Sequence, residues 1–467
     1  MPGKLLIFNT AWYFDWYQAV LINLMYYPKT RNMKKFIPFG VLIIVIVLAL
    51  VFPSVTLTTV KDSKIDSGDT AWLLVSTALV LIMTPGLAFF YGGMVSKKNV
   101  LSTMLQSFVC MGVITVIWVI FGFSLAFGDS IGGFIGDPRT FFMMKGTLGN
   151  ATWKLAPTIP LVLFAMFQLK FAVITPALIT GAFAERIRFN SYVIFLCLFM
   201  IFIYAPLAHS TWHPDGFLFG KGVLDFAGGT VVHMSAGWAA LASALYLKQR
   251  NDKAHSPARI SYVLLGTGLL WFGWFGFNAG SALGSGTLAA TALATTTTAS
   301  AAAAMAWMFF DILRGKKPGV MGACIGAVVG LVAITPAAGF VTIPHSLIIG
   351  IVAAVVSNLV VIWRSSTSID DTLDVFPCHG VGGMVGMLLT GVFAHQNVNA
   401  GNTTGNGLYY GETHLFFVHL ITLVGVSAFA FFGSLLLLKI TDMISTLRVT
   451  PEQELAGLDI SQHDEEL

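Results

Sequence analysis

Charged side chains are scarce in this sequence. They make up 10% of the 467 residues, whereas soluble domains carry about 25%. Hydrophobic residues account for 56%, and they recur in runs of about 20 residues, the length that crosses the hydrocarbon core of a bilayer. This composition excludes an ordinary soluble domain. It predicts an all-α polytopic membrane protein, because a helix satisfies its own backbone hydrogen bonds in lipid.

Cysteine is also rare, and its pattern excludes two kinds of site. None of the four cysteines lies in a Cys-x-x-Cys pair, so the sequence indicates neither a disulfide framework nor a structural zinc site. All four lie in apolar segments, where they are typical buried packing residues. No nucleophile-and-base pair and no metal-binding set of residues is evident. We therefore predict no enzyme activity, no cofactor and no nucleic-acid partner.

The N-terminal 66 residues form a separate question. Residues 1–32 resemble nothing that follows, and Met33 begins a segment with two lysines and then an apolar core to residue 55. This order is typical of a secretory signal peptide, although no small-x-small cleavage site is clear. An uncleaved extra helix is the alternative. We predict three regions, namely an extension (1–66), a membrane domain (67–442) and a cytoplasmic tail (443–467).

Eleven apolar segments of helical length follow this extension. Glycine and proline inside them are compatible with membrane helices, in which neighbouring helices satisfy freed backbone groups. The predicted spans are 69–95, 100–127, 157–182, 189–208, 226–247, 258–280, 286–313, 319–335, 344–364, 377–395 and 414–442.

The positive charges predict how these helices are oriented. With the first helix starting outside, one set of connections holds fourteen lysines and arginines and the other holds four, Arg139, Lys145, Lys154 and Lys221. Cytoplasmic loops are enriched in positive charge, so the richer set lies inside. The start of the first helix is then outside, and because the number of helices is odd, the C-terminal tail is in the cytoplasm.

Two histidines indicate an internal repeat. His233 is followed by Gly237 in the fifth span, and His379 is followed by Gly383 in the tenth. A separation of five spans inverts the second copy relative to the first, as in transporters whose site lies at the interface between two inverted repeats. Histidine within a membrane span is rare and usually faces a pore or the bundle interior. An interhelical hydrogen bond is the simpler alternative.

Other residues near the predicted outer ends of the helices suit a cation. Asp225 precedes His233 by eight residues and suits a helix N-cap, and its charge would also lower the cost of bringing a cation close. Aromatic faces attract cations, although an interfacial aromatic belt is the alternative for any one ring. The candidates near the outer ends are Phe167, Phe171, Trp212, Phe277 and Ser281.

Five sequence blocks carry a family resemblance. "DFAGGTVVHMSAG" resembles the signature of the ammonium transporter (Amt/Mep/Rh) family, and four other blocks are similar to further parts of that family. The C-terminal tail resembles the family's cytoplasmic terminus, and the likeness runs in order from about Asp69 to the end. The four other blocks are "TPGLAFFYGGMVSKKNVLS", "TPALITGAFAERIRF", "GWFGFNAGSA" and "DVFPCHGVGGMVGMLLTGVFA".

The resemblance implies a fold and a set of roles. It implies eleven helices in an inverted five-plus-five repeat, and a homotrimer with one pore per subunit in the plasma membrane. Trp212, Phe171 and Ser281 would line an outer vestibule that recruits ammonium, and Phe171 with Phe277 would form a gate below it. His233 and His379 would be the paired pore histidines, and Asp225 the aspartate needed for conduction.

Several readings stay open at this point. Burying an unpaired ammonium charge is very costly, so the ion would release a proton and cross as ammonia, with or without separate movement of that proton. An ammonium sensor or transceptor and a neutral ammonia or carbon dioxide channel of the Rh type are the alternatives. A PII-type nitrogen regulator is a possible partner at the inner face. Lys170 departs from the expected small or apolar residue, and either points away from the vestibule or weakens ammonium binding there.

Overall fold

The computed structural model of the protein describes residues 36–252 and 256–467, and these fall into two compact units. The first unit ends at Pro53 and contains helix α1, Ile37–Val51. Met33 and the two lysines of the signal-like segment lie outside the described residues, so the prediction that this segment is removed stays a prediction.

The second unit begins at Ser54, earlier than the membrane domain predicted from residue 67. The backbone N–H of Thr58 donates to Leu148 O at 2.9 Å, and that of Asp66 donates to Thr158 O at 2.8 Å. Residues 54–66 are rich in polar side chains and therefore do not extend the apolar helix before them. Their backbone groups are satisfied instead by the connection at 146–158.

The second unit is a bundle of helices that coincide with all eleven predicted segments. They are α2 Ser67–Met94, α3 Lys97–Phe127, α4 Leu161–Phe183, α5 189–212, α7 Gly229–Leu247, α8 Ile260–Ala279, α9 Thr287–Leu313, α10 Val320–Ile334, α11 Ile343–Ser365, α12 Phe376–Phe393 and α13 His414–Ile444. Shorter helices are α6 Phe217–Gly220, α14 Pro451–Ala456 and α15 Leu458–His463.

Within the described ranges, nine helices are long and apolar enough to cross a membrane. Two of the eleven fall outside that set for different reasons. Helix α9 has 27 residues but is rich in alanine and threonine. Helix α10 has only 15 residues, about 22 Å of helix rise, which is less than the hydrocarbon thickness of about 30 Å.

Three helices form the centre of the bundle. α4, α7 and α12 are the most buried of the nine apolar helices, whereas α3, α11 and α13 are the least buried. Helices α2 and α8 pack along each other, as do α9 with α10 and α11. The residues predicted to line a pore, Phe171, His233 and His379, therefore lie on the three central helices.

Glycine lets α7 and α12 approach closely. A Cβ atom on Gly237 would lie 2.1 Å from the backbone nitrogen of Gly380, far closer than any side chain allows. This contact was expected from the small residues after each histidine, since such residues let membrane helices touch backbone to backbone. It brings the two histidine-bearing turns together.

Two small hairpins join α3 to α4. β1 Ser130–Ile131 pairs antiparallel with β2 Ile135–Gly136, and β3 Thr152–Trp153 pairs antiparallel with β4 Ala156–Pro160. Below, the end of the bundle that carries this connection is called the Trp212 end. The opposite end, where α14 and α15 pack, is called the tail end.

Candidate functional site

The two predicted histidines meet in the centre of the bundle. The Nδ1 atoms of His233 and His379 are 3.3 Å apart, and the rings are nearly parallel with centroids 5.4 Å apart. Each ring lies in a π-helical turn, Gly229–Met234 or Phe376–Val381. A neutral imidazole has one donor and one acceptor nitrogen. A hydrogen bond between the two Nδ1 atoms therefore requires opposite tautomers, so one Nε2 is a donor and the other an acceptor.

The histidine pair borders a narrow apolar cavity. The cavity volume open to a water-sized molecule is only about 10 Å³. Apart from the histidines, its walls are hydrophobic side chains such as Leu87 and Ile174. His233 Nε2 is buried and has no hydrogen-bond partner among residues 36–252 and 256–467. Trp274 stacks on His233 at 5.3 Å, and its indole N–H donates to Thr335 Oγ1 at 2.9 Å. The cavity thus offers a small solute one ring nitrogen in an apolar channel.

A pair of phenyl rings lies on the Trp212 side of this cavity. The centroids of Phe171 and Phe277 are 4.3 Å apart, and Phe277 is 6.0 Å from the ring of His233. Both phenylalanines are fully buried. Phe277 lines the narrow cavity and Phe171 lines a wider one beyond it. The two rings therefore separate the two cavities, where the sequence predicted a gate.

The wider cavity is called the vestibule below. Its volume open to water-sized molecules is about 180 Å³. Phe171, Trp212, Ser281 and Asp225 all line it. Trp212 stands perpendicular to Phe171 at 5.9 Å. Ser281 Oγ donates to Phe277 O at 2.8 Å, which leaves its lone pairs free to accept a hydrogen bond. The structure thus brings together the residues predicted for ammonium recruitment.

Asp225 is engaged by the backbone that begins α7. Its carboxylate accepts from the N–H groups of Gly228, Gly229 and Thr230 at 2.6–2.8 Å, and from the Thr230 hydroxyl. Its own carbonyl oxygen accepts from Trp212 Nε1 at 3.0 Å. Asp225 therefore caps the start of α7 with its carboxylate from three residues before the N-cap residue, Gly228, and it fixes the indole of Trp212 in the vestibule wall.

Asp371 is a functional candidate that our sequence reasoning missed. It precedes His379 by eight residues, as Asp225 precedes His233. Its Oδ2 accepts from the N–H of Phe376 at 2.7 Å at the start of α12, and the side chain is fully buried. The equal spacing of eight residues was a signal in the sequence.

The tail end holds a network of buried charges. Arg250 pairs with Glu185 at 2.7 Å and with Asp370 at 3.0 Å. Asp370 lies three residues before Leu373, which lines a further narrow cavity together with His379. The ion pairs thus hold the segment that borders the far side of the histidines.

The C-terminal tail packs on this network. Glu454 accepts from the backbone and side-chain amides of Asn251 at 2.6 and 2.8 Å, and it pairs with Arg448 at 2.8 Å. Asp459 accepts from the N–H groups of Leu101 and Ser102 near the start of α3. The tail is therefore joined to the same end of the bundle as many of the arginines and lysines predicted to lie inside.

Asp374 makes the stability of the tail end depend on pH. Burial raises the pKa of Asp374 to about 7, although Arg364 lies 2.6 Å away and opposes the shift. Because the folded protein holds this proton more tightly than the unfolded chain, the free energy of unfolding falls as pH rises from about 4 to 7. Asp374→Asn keeps an acceptor for Arg364 and has no proton to lose.

We therefore expect Asp374→Asn to gain thermal stability over the wild type as pH rises from 5 to 8. Thermal unfolding in detergent at several pH values measures this difference. Parallel curves for the two proteins would contradict the assignment, because the titration of Asp374 would then cost the folded state nothing.

Lys170 lies outside the vestibule lining. It is half-buried on α4 between Gln168 and Phe171, which both line the vestibule. Neighbouring helix residues point about 100° apart, so Lys170 faces another direction. We expect Lys170→Ala to leave the half-saturating ammonium concentration unchanged in a transport assay. A lower half-saturating concentration in the variant would show that the charge of Lys170 repels ammonium in the vestibule.

Metal binding has no support in the part of the chain that the structure describes. No group of three or more His, Cys, Asp and Glu side chains is placed there to hold an ion. His233 and His379 face each other without a carboxylate or thiol to complete a coordination shell.

Comparison with known proteins identifies the family. A sequence profile of the Ammonium Transporter Family matches residues 71–467. The chain belongs to this family. Its members are membrane transport proteins, so the prediction that the chain is no enzyme is confirmed, as is that of a multi-pass protein of the cell membrane.

Two relatives and one solved structure support this membership. The chain is 48% identical to a putative ammonium transporter of Methanothermobacter thermautotrophicus over 86% of this chain and 98% of that protein. It is 46% identical to an ammonium transporter of Aquifex aeolicus over 87% and 94%. The crystal structure of Saccharomyces cerevisiae Mep2 is similar, with a TM-score of 0.79, 35% identity and coverage of 84% and 89%.

Proposed function

We propose that this member of the ammonium transporter family recruits ammonium in the vestibule and conducts ammonia past the paired histidines. The observation that carries the proposal is the histidine pair, joined at 3.3 Å in a narrow apolar cavity directly behind Phe171 and Phe277. A cation path through a dry pore would need charges or many oxygens along it. This cavity offers ring nitrogens and hydrocarbon, which suit a small neutral molecule with hydrogen-bonding groups.

The vestibule supports recruitment of the charged form. The rings of Phe171 and Trp212 and the hydroxyl of Ser281 can replace part of the water shell of ammonium. Moving the intact ion past Phe277 would bury an unpaired charge, which is very costly. Desolvation also favours the neutral form of a cation, so the proton leaves before ammonia enters the narrow cavity. A neutral gas channel gains nothing from this cation site, which favours the ammonium-recruiting branch.

The same proposal includes the membrane arrangement. Eleven crossings, an N-terminus outside and a cytoplasmic tail follow from the eleven helices and the positive-inside bias. The same two features occur at both histidines and support the inverted repeat. Each histidine lies in a π-helical turn and follows an aspartate by eight residues. In this orientation the vestibule faces outward.

A homotrimer and a regulator complete the proposal. The resemblance to the family supports a trimer with one pore per subunit. The tail end, with the packed tail and the cationic connections, is the face that a PII-type regulator would meet.

Current recorded from proteoliposomes tests the proposal. The purified protein, pulsed with ammonium at fixed pH, should give a saturable current, and equal pulses of potassium and sodium should give none. Internal pH is recorded at the same time. Ammonium-dependent internal alkalinisation without current would show neutral ammonia passage, and the absence of both signals would contradict transport.

A further inference from the structure

Two buried polar atoms at the vestibule have no hydrogen-bond partner in the described part of the chain. They are Oε1 of Gln168 and Oγ1 of Thr211. Gln168 is 8% exposed and Thr211 is 2% exposed, and both side chains line the vestibule. Neither was predicted as a site residue from the sequence. Leaving such oxygens unpaired in a buried place destabilises a protein, so their presence calls for a donor that is not part of the chain.

Their positions relate them directly to the recruiting rings. Gln168 precedes Phe171 by three residues on α4, so both side chains lie on the same face of that helix. Thr211 directly precedes Trp212 near the end of α5. The hydroxyl of Ser281 lines the same cavity and also has lone pairs free. Three side chains that carry acceptor oxygens, on three different helices or their ends, thus line one small chamber.

We propose that Gln168 and Thr211 form an acceptor subsite that makes the vestibule selective for ammonium over methylated amines. The inference rests on the proposed function, because it assigns these residues to the same recruitment step. Ammonium carries four N–H donors in a tetrahedral arrangement. The rings of Phe171 and Trp212 attract its charge without direction, whereas the oxygens accept its N–H groups one by one.

This arrangement discriminates among cations by chemistry. Methylammonium replaces one of the four N–H groups of ammonium by a methyl group. A site built only from aromatic faces would bind both cations through charge. Buried acceptors left without a donor penalise the analogue that lacks one, so each oxygen that ammonium satisfies adds to the preference for it.

Two substitutions remove the acceptors with little change in volume. In Thr211→Val and Gln168→Met, we expect the half-saturating ammonium concentration to rise about tenfold, the loss of one hydrogen bond from a charged donor. The value for methylammonium should rise less, so the preference for ammonium falls. Thr211→Ser keeps the hydroxyl and should retain the wild-type preference. Thr441→Val removes a buried hydroxyl that bonds within α13 and is the matched control.

Thermal stability separates a binding role from a structural one. Because the two oxygens have no partner among the residues that the structure describes, removing them should leave the unfolding temperature unchanged or raise it. Unchanged ammonium affinity and preference in both Thr211→Val and Gln168→Met would overturn the inference while the wild-type current still supported transport. A lower unfolding temperature with unchanged preference would also overturn it. The absence of a wild-type ammonium current would overturn the proposed function itself.

Discussion

Asp225→Ala should abolish the ammonium current and also destabilise the fold. The substitution removes the acceptor from three backbone N–H groups at the start of α7. Each buried donor left unpaired costs about 1–3 kcal/mol, so the free energy of unfolding should fall by about 3 kcal/mol or more. The residues that lose their partner lead directly into the turn that holds His233.

The effect on transport has a second cause besides stability. Asp225 carries its negative charge at the vestibule wall, and its backbone oxygen holds the Trp212 indole. Its carboxylate oxygens are occupied by backbone donors, so it acts on ammonium through its charge and through position. Asp225→Asn keeps one acceptor oxygen but loses the charge. We expect it to be more stable than Asp225→Ala and still to carry little current.

Asp66→Ala provides the matched control for the Asp225 experiment. Asp66 caps α2 by accepting from Asp69 N–H at 2.8 Å, but it is exposed. Its loss should cost about 1 kcal/mol and leave the current intact. Chemical unfolding and proteoliposome current measure both quantities. A wild-type current in Asp225→Ala would contradict the role of this residue in conduction.

The helices were predictable because their signal is long and repeated. All eleven apolar segments coincide with helices, including α9 and α10, which a length and hydropathy threshold alone does not select. The histidines were predictable for the opposite reason, since an ionisable ring in an apolar run is rare and therefore conspicuous. Their separation by five spans also indicated that they would be related.

The remaining site residues give weak sequence signals. Gln168 and Thr211 resemble ordinary helix residues. Only the fold shows that their side chains line one cavity and that their oxygens are buried and unpaired within the described ranges. Asp371 had a signal, because among the three aspartates at 370, 371 and 374 only this one stands eight residues before its histidine, as Asp225 does. The boundary at Ser54 depends on hydrogen bonds to residues almost 90 positions away, such as that from Thr58 to Leu148. Local sequence patterns do not predict such long-range contacts.

His233→Leu should reduce the ammonium current to a tenth or less of the wild-type value. Leucine is apolar and leaves His379 Nδ1 without its partner at 3.3 Å. Loss of one hydrogen bond to the crossing molecule in a dry pore raises the barrier by about 1.5–3 kcal/mol, or about tenfold to a hundredfold in rate. Passage of ammonia should fall less than the current, and because ammonia that enters without its proton alkalinises the interior, internal alkalinisation should rise relative to the current.

The difference between these two signals follows from the tautomers. A proton that binds the acceptor Nε2 of one ring can shift the shared Nδ1 proton to the other ring, which then releases its own Nε2 proton. Leucine at 233 breaks this relay completely, whereas it removes only part of the hydrogen-bonding path for ammonia. His345→Phe, on a ring stacked against Phe393 away from the pore, should change neither signal. If His233→Leu lowered current and alkalinisation equally, the histidines would serve one shared path rather than a separate proton relay.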